Sequence, residues 1–334
     1  LGGPQTDEAN CLAVDDAGNA YVTGNFEGSL DAATGVSLRG AGGLDAFVAK
    51  FDANGKFAWA FALGGPGDDK GHGLAVDSSG NCHVSGAFNS AVDFDPGPNR
   101  TALTSAGGSD IFLACYKPSG ALAWAKRMGG SGDDFAGVGA ISVDGRGILH
   151  LSGMFSQTAA FDDLRLTSAG LTDIFFGKFA PDGKCLWARG VGGPAQDTGH
   201  RILADRDGSV YLTGSFHRRA DFDPGPGVQT LTAENPDGDI FVAKYDAAGK
   251  LLWAHGFGDA APGATGARSS GPMTLADQPK YSIGAGLALD ASDRPIVTGR
   301  FFGSVDFDPL GGQTITSAGE SDIFLVRFNP DGRP

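Results

Sequence analysis

Glutamate is scarce in this 334-residue chain: only Glu8, Glu27, Glu234 and Glu320 stand beside 35 aspartates. Asp favours turns and oxygen-ligand cation sites where Glu favours helices, so the imbalance points away from helical folds. Basic side chains are also few, with 25 Lys and Arg against 39 acidic residues and a formal charge of -14. Such a surface repels phosphate backbones and anionic lipids, which excludes nucleic acid as an expected partner. No apolar run approaches the roughly 18 residues of a membrane-spanning helix, so no membrane insertion is expected. Four cysteines (Cys11, Cys82, Cys115, Cys185) are too few for a disulfide scaffold and lack C-x-x-C spacing. The chain opens at Leu1 with no signal-like stretch in its first thirty residues, so it reads as a mature or excised segment.

What is abundant fits one class. Gly (55) and Pro (17) oppose long helices, while 41% hydrophobic and 19% charged residues exclude the composition of disorder. The expectation is a turn-rich all-β protein.

A phrase recurs five times: DAFVAKFD from Asp45, DIFLACYK from Asp110, DIFFGKFA from Asp173, DIFVAKYD from Asp239 and DIFLVRFN from Asp322. The intervals are 65, 63, 66 and 83 residues, the last lengthened by a Gly/Pro/Ser-rich insertion at about 258–282. Each unit holds four short strand-like runs. In the second they are A (73–77), B (81–88), C (110–116) and D (121–128). The A–B and C–D links are short and contain Gly, which forces antiparallel neighbours. The C runs are apolar on both faces and must be covered on both. Four-stranded antiparallel sheets stacked face to face are the blades of a β-propeller, preferred here over a solenoid of sheets.

The expected architecture is one domain, 1–334, with units at about 1–63, 64–128, 129–191, 192–257 and 258–334. Five blades of four antiparallel strands are expected, the fifth lacking its outermost strand because the chain stops just past Asp331-Gly332. Trp59, Trp124, Trp187 and Trp253 share one D-strand position and read as packing between blades. Cys82 opens strand B and Cys115 closes strand C of one blade, leaving a cross-strand disulfide and two free thiols both open. Cys185 aligns with Phe57, Leu122 and Leu251 and reads as core.

The run SAGGSDIF (105–112), then Trp124-Ala125, Gly129-Gly130, GDD (132–134) and the AVD, GN and SGAF elements of 75–88 resemble the bacterial SBBP β-propeller repeats. The resemblance covers the whole chain. It implies a propeller and a secreted or cell-surface setting; it lends no active site. Separately, the segment is read as part of a longer repeat-bearing chain. The family name implies seven blades, where five units are counted.

The two faces of such a disc are unequal. One carries minimal turns; the other carries D–A loops such as GGPGDDKGHG (64–73) and B–C loops of about twenty residues, where binding is expected. The B–C loops hold DFDPG at 93–97 and 221–225 and DFDPLG at 306–311, each starting five residues after the last B-strand Phe. Residues i and i+2 share a side, so Asp93 with Asp95, Asp221 with Asp223 and Asp306 with Asp308 are candidate calcium ligands, while Phe94 turns to the core. The alternative is an Asp-Pro-Gly turn capped by its own carboxylates. Asp68, Asp69, His72, Asp197 and His200, read as D–A loop residues rimming a central channel, are candidate ligand-binding groups.

The preferred function is a non-catalytic extracellular binding or scaffold module, calcium-stabilised, engaging a protein or polysaccharide. The rival is a five-bladed glycoside hydrolase with channel carboxylates. Most polar positions recur unit after unit, whereas catalysis needs a unique constellation, and no G-x-S-x-G or H-E-x-x-H motif is present.

Overall fold

The computed structural model describes residues 1–233, 238–258, 282–308, 312 and 314–333. Glu234, most of the 258–282 insertion, Pro309 to Gly311 of the third DFDP motif and Pro334 lie outside the described residues. Among the described residues there is no helix. They fall into two compact units, Leu1–Thr167 with Phe175–Arg189, and Ser168–Ile174 with Gly190–Pro334.

Repeat 1 forms β1 (Asp7–Val14), β2 (Ala20–Ala33), β3 (Val36–Phe51) and β4 (Phe57–Leu63). Repeat 2 forms β5 (Lys70–Val76), β6 (Cys82–Asp93), β7 (Ala102–Tyr116) and β8 (Leu122–Gly130). Repeat 3 comprises β9 (Phe135–Val143), β10 (Leu149–Phe155), β11 (Thr158–Phe161), β12 (Leu164–Thr167), β13 (Asp173–Phe179) and β14 (Cys185–Val191). Repeat 4 comprises β15 (Thr198–Ala204), β16 (Val210–Phe216), β17 (Arg219–Asp221), β18 (Thr230–Thr232), β19 (Asp239–Tyr245) and β20 (Leu251–Phe257). Repeat 5 contributes β21 (Ile283–Leu289), β22 (Pro295–Phe301), β23 (Ser304–Asp306), β24 (Thr314–Thr316) and β25 (Asp322–Arg327).

The A–B–C–D strands of each repeat lie in that order in an antiparallel sheet: β1-β2-β3-β4, β5-β6-β7-β8 (extended past β8 by β11 and β12 of repeat 3), β9-β10-β13-β14, β15-β16-β19-β20, and a three-stranded β21-β22-β25, with β17-β18 and β23-β24 as separate two-stranded sheets. The two-sided C strands explain the packing. In repeat 2, Phe112 and Ala114 join one core cluster with Tyr21, Val48 and Phe61 of repeat 1. Ile111 and Leu113 join another with Ile141, Leu151 and Phe175 of repeat 3.

The short links are capped turns. Asp77 Oδ1 accepts from Ser79 N and Asn81 N, both at 2.9 Å, and Asp144 Oδ1 accepts from Arg146 N and Ile148 N. The fourth residue of the C–D turns, Gly55, Gly120 and Gly183, has φ between 77° and 85°. These turns are also docking points. Trp59, Trp124 and Trp253 donate Nε1–H to the carbonyls of Pro118, Pro181 and Pro330 in the following repeat, at 3.1, 3.0 and 2.9 Å. The Trp position therefore ties the D strand of one repeat to the C–D turn of the next as well as packing against it.

One open question closes and two expectations change. The cysteines are free. Cys82 sits opposite Tyr116 and His83 opposite Cys115, so the two thiols point to opposite sides of the sheet and no cross-strand disulfide can form. Strand A starts earlier than read: β5 begins at Lys70 and crosses a bulge between Gly71 and Gly73, which puts His72 on the strand rather than in the D–A loop, and His200 likewise lies on β15. The B–C segments are β-hairpin arms rather than irregular loops. Two residues after the last B-strand Phe, each chain enters the arm through a left-handed residue: Gly28, Ser90, Gln157, Arg218 and Gly303, with φ between 54° and 69°.

Candidate functional site

The long-loop face is assembled around a Gly-Gly pair and two aspartates. The second glycine gives the arm of the next repeat its seat. A Cβ on Gly130 would stand 1.8 Å from Thr158 O, and on Gly193 1.9 Å from Arg219 O, so only glycine lets the backbones meet. Ala159 pairs with Gly130 as part of the β11–β8 ladder.

The second Asp of the GDD-type loop locks this arrangement. Asp69 accepts from Gly65 N (2.7 Å) and, twenty residues on, from Asn89 N (2.9 Å). Asp134 repeats the pattern with Gly130 N (2.7 Å) and Ser156 N (3.0 Å), and Asp197 with Gly193 N (2.8 Å) and His217 N (2.9 Å). In repeat 5, Ser282 takes the role through Phe302 N. Each carboxylate joins a D–A loop to the root of an arm in place of backbone pairing. Its exposed neighbour faces the previous repeat: Asp68 accepts from Leu44 N (3.0 Å) and Asp133 from Ser109 N (2.9 Å).

Facing the lock is the aspartate that opens each C strand. Asp45, Asp110 and Asp173 accept through Oδ2 from Ala41 N, Ala106 N and Ala169 N at 2.8–3.0 Å, closing the Gly-Ala-Gly turn of repeat 1 and the Ser-Ala-Gly turns of repeats 2 and 3, while Oδ1 of each is buried without a hydrogen-bond partner. Across the first glycine of the pair lies the locking carboxylate. A Cβ on Gly192 would meet Asp173 Oδ1 and Asp197 Oδ2, each at 2.9 Å. Burial is the main cause that pushes Asp69 and Asp134 up to about 6 and Asp197 to about 7; their backbone hydrogen bonds oppose it and the partner carboxylate adds to it. Asp173 is raised to about 6 by burial, and Asp45 and Asp110 are raised for the same reason, Asp110 being held back by Arg127 at 2.6 Å. Burial thus favours the protonated form of these carboxyls up to a higher pH than that of an exposed aspartate.

The histidines do not join this cluster. His72 donates from Nδ1 to Ala136 O at 2.8 Å on the A strand of repeat 3, as Asn10 donates from Nδ2 to Gly71 O at 3.0 Å on the A strand of repeat 2. Burial pushes both His72 and His200 down to about 4, so both are neutral near pH 7, and His200 Nε2 is buried without a partner. His72 therefore links strands, and Asp68, Asp69 and Asp197 order loops. The residues that composition and motif reading missed are Asp45, Asp110 and Asp173. Their signal was a charged residue opening an otherwise apolar strand in every repeat.

The DFDP motifs close the arm tips as aspartate turns. Asp93 Oδ1 accepts from Asp95 N (3.2 Å) and Thr101 N (2.9 Å), and Asp95 Oδ1 from Gly97 N (2.8 Å). Asp221 and Asp223 repeat this with Asp223 N, Gln229 N and Gly225 N, and Asp306 accepts from Asp308 N. The intervening Phe94 and Phe222 are buried against Phe112 and Phe241, with ring centroids 5.0 and 4.8 Å apart. The carbonyls of Phe94 and Phe222 accept from the hydroxyls of Tyr116 and Tyr245 at 3.0 and 3.1 Å. Among the described residues, no group of three or more His, Cys, Asp and Glu is arranged to hold a metal ion.

Comparison with known proteins agrees with the repeat reading. Residues 1–25 match the SBBP β-propeller repeat model, which bears out the resemblance drawn from the motifs. Residues 310–334 match a second β-propeller model, described as a domain of unknown function. An uncharacterized WD repeat-containing protein of Acanthamoeba polyphaga mimivirus is 24% identical over 234 residues, covering 58% of this chain and 16% of that protein. The regulatory protein FlaEY of Caulobacter vibrioides is 25% identical over 203 residues, covering 59% of this chain and 21% of that protein. The chain thus matches about a fifth or less of either relative's length. A crystal structure of a protein of unknown function from Bacteroides caccae aligns over 88% of this chain and 89% of its own, at 9% identity and a TM-score of 0.36.

Proposed function

We propose that this β-propeller repeat protein is a non-catalytic extracellular binding module whose hairpin arms form the contact surface for a protein or polysaccharide. The carrying observation is that the arms are fixed at their roots and that the B–C segments expose aliphatic side chains. Asp69, Asp134 and Asp197 clamp the roots, while Leu164, Leu171, Val228 and Ile315 in the B–C segments are exposed. A loop already ordered loses little freedom on binding, and exposed aliphatic side chains there gain from burial. The repetition of the clamp favours binding over hydrolysis, because Asp69, Asp134 and Asp197 are each engaged by two backbone N–H groups. Calcium held by the second oxygens of Asp93 and Asp95, Asp221 and Asp223, and Asp306 and Asp308 is a separate part of this proposal, resting on the paired carboxylates alone.

The test is a panel of immobilised glycans and cell-surface proteins probed with the chain and with Leu171→Asp and Val228→Asp. Loss of a specific contact in the variants with unchanged melting supports the arm surface; retained binding places the contact elsewhere. Melting with calcium and with chelator, repeated on Asp93→Asn/Asp95→Asn, tests the ion. An unchanged wild-type midpoint reduces those motifs to turns.

A further inference from the structure

One position in the recurrent pairing of B and C strands changes its chemistry in repeat 2. Tyr21 stands opposite Lys50 in repeat 1 and Tyr211 opposite Lys244 in repeat 4, and in both the ammonium lies over the ring, 4.7 and 4.6 Å from its centroid. Side chains at this pair of positions therefore meet. In repeat 2 the pair is His83 and Cys115, both shorter than the residues they replace and both able to bind a soft metal ion. His83 is 1% exposed and Cys115 3%.

The imidazole is oriented as a ligand would be. Its Nε2 lies 3.2 Å from Asp77 Oδ2, and hydrogen bonds hold the Asp77 carboxyl below its ordinary value, so the carboxylate accepts and Nε2 donates. Nδ1 is left with the lone pair and is buried without a hydrogen-bond partner. Burial lowers His83 despite Asp77 beside it, so the ring is neutral near pH 7. A carboxylate behind the imidazole is the arrangement that fixes metal-bound histidines. Cys115 lies between His83 and Trp124 in the ladder, yet the two rings approach to 6.0 Å and so close over the thiol.

We infer that Cys115 Sγ and His83 Nδ1 hold one soft monovalent metal ion, copper(I), between adjacent strands of a single sheet. Thiolate and imidazole together select Cu(I), which takes two ligands without a third acidic or histidine group. On binding, the Cys115 S–H bond breaks and its proton passes to solvent. Bonds from Sγ and Nδ1 to copper form, and no electron is transferred. Thiolate and Cu(I) cancel, so the two buried ligands and their ion carry no net charge, where a divalent ion would leave them positive.

The experiment titrates the 334-residue chain anaerobically with Cu(I) against a chromogenic Cu(I) chelator, with X-ray absorption on the loaded protein. One equivalent is expected to resist the chelator, with one sulfur and one nitrogen bound to copper. Cys115→Ser and His83→Phe should each weaken binding at least about a hundredfold, and Asp77→Asn roughly tenfold, because losing the group that orients a metal-bound histidine costs roughly 10–100-fold. Cys11→Ser, Cys82→Ser and Cys185→Ser should bind like the wild type. Melting curves identify the variants that fold; Cys115→Ala stands in for an unfolded Cys115→Ser, and the absorption spectrum of the wild type needs no variant. No retained equivalent, copper bound by sulfur alone, or a folded Cys115 variant that competes like the wild type overturns the inference.

Discussion

The turn side and the arm side of each sheet use the same device, an Asp carboxylate accepting backbone N–H groups, and obtain opposite electrostatics from it. In the A–B turns, Asp15, Asp77 and Asp144 are burdened by some burial, but hydrogen bonds outweigh it and hold the carboxyls below their ordinary value. Asp290 reaches about 2 beside Arg294. On the arm side the same bonds fail to offset deeper burial and a facing carboxylate, and Asp197 rises to about 7. Hydrogen bonding to a carboxylate therefore does not fix the sign of its shift; solvent access and the nearest charge decide.

The largest effect that would break this contrast is on stability. Asp134→Ala leaves Gly130 N and Ser156 N unpaired at a buried site and should cost about 3 kcal/mol, since each orphaned buried donor costs roughly 1–3. Asp144→Ala, whose turn donors and exposed Arg146 partner can turn to water, should cost about 1 kcal/mol. Urea unfolding of the two variants measures the difference; equal losses would mean that burial does not separate the two sides.

A second pair sharpens the contrast within the turns. Gly55 and Gly183 share a left-handed φ of 77° and 79°, but a Cβ on Gly55 meets nothing within 4 Å, whereas on Gly183 it stands 2.6 Å from Trp124. Gly55→Ala should cost about 1 kcal/mol from backbone strain. Gly183→Ala should cost about 2–3, because strain and overpacking add, and tryptophan fluorescence should report the displaced ring.

Proton linkage gives a smaller effect with opposite signs on the two sides. Asp69, Asp134, Asp173 and Asp197 have folded values raised above the unfolded one, so their contribution is complete below about pH 4 and fades as pH climbs through 6 and 7. Asp15, Asp77 and Asp144 have lowered values, so theirs is present above about pH 4 and fades as pH falls below it. Melting midpoints of the wild type and of Asp197→Asn should therefore converge as pH falls from 8 to 5 if protonated Asp197 is what the fold prefers, and parallel curves would contradict it. The smallest change is expected in Asp173→Asn, which should lower the Asp197 midpoint by less than burial raised it; carboxyl NMR titration reads it directly.

The sheets were legible because they rest on local signals. Alternation in DIFLACY and the Asp-x-x-Gly turns specify strand, link and antiparallel order without reference to distant residues. The arms were less so. Their strands are only three or four residues long in repeats 3, 4 and 5, and their entry residue is Ser90, Gln157 or Arg218 in three repeats and glycine in two, so no residue type announces the bend. The facing carboxylates were invisible for a different reason. Asp110 and Asp134 are 24 positions apart and meet only because a β-hairpin and a Gly-Gly pair bring two loops together. His72 was misplaced because a bulge continues the strand through residues whose glycines read as loop.

The left-handed entry residue has a consequence for how such a chain can vary. Three things position an arm at its root: the bend two residues past the B-strand Phe, the seat on glycine and the clamp from aspartate. In repeats 2 and 4 a buried Phe, Phe94 or Phe222, also anchors the far end. Repeats 1 and 3 already carry tips without the paired aspartates on the same kind of root. An arm is thus a cassette that carries its own anchoring Phe. Transplanting residues 91–104 of repeat 2 between Ser29 and Arg39 of repeat 1 should leave the host sheet intact while moving whatever the tip recognises to a new address.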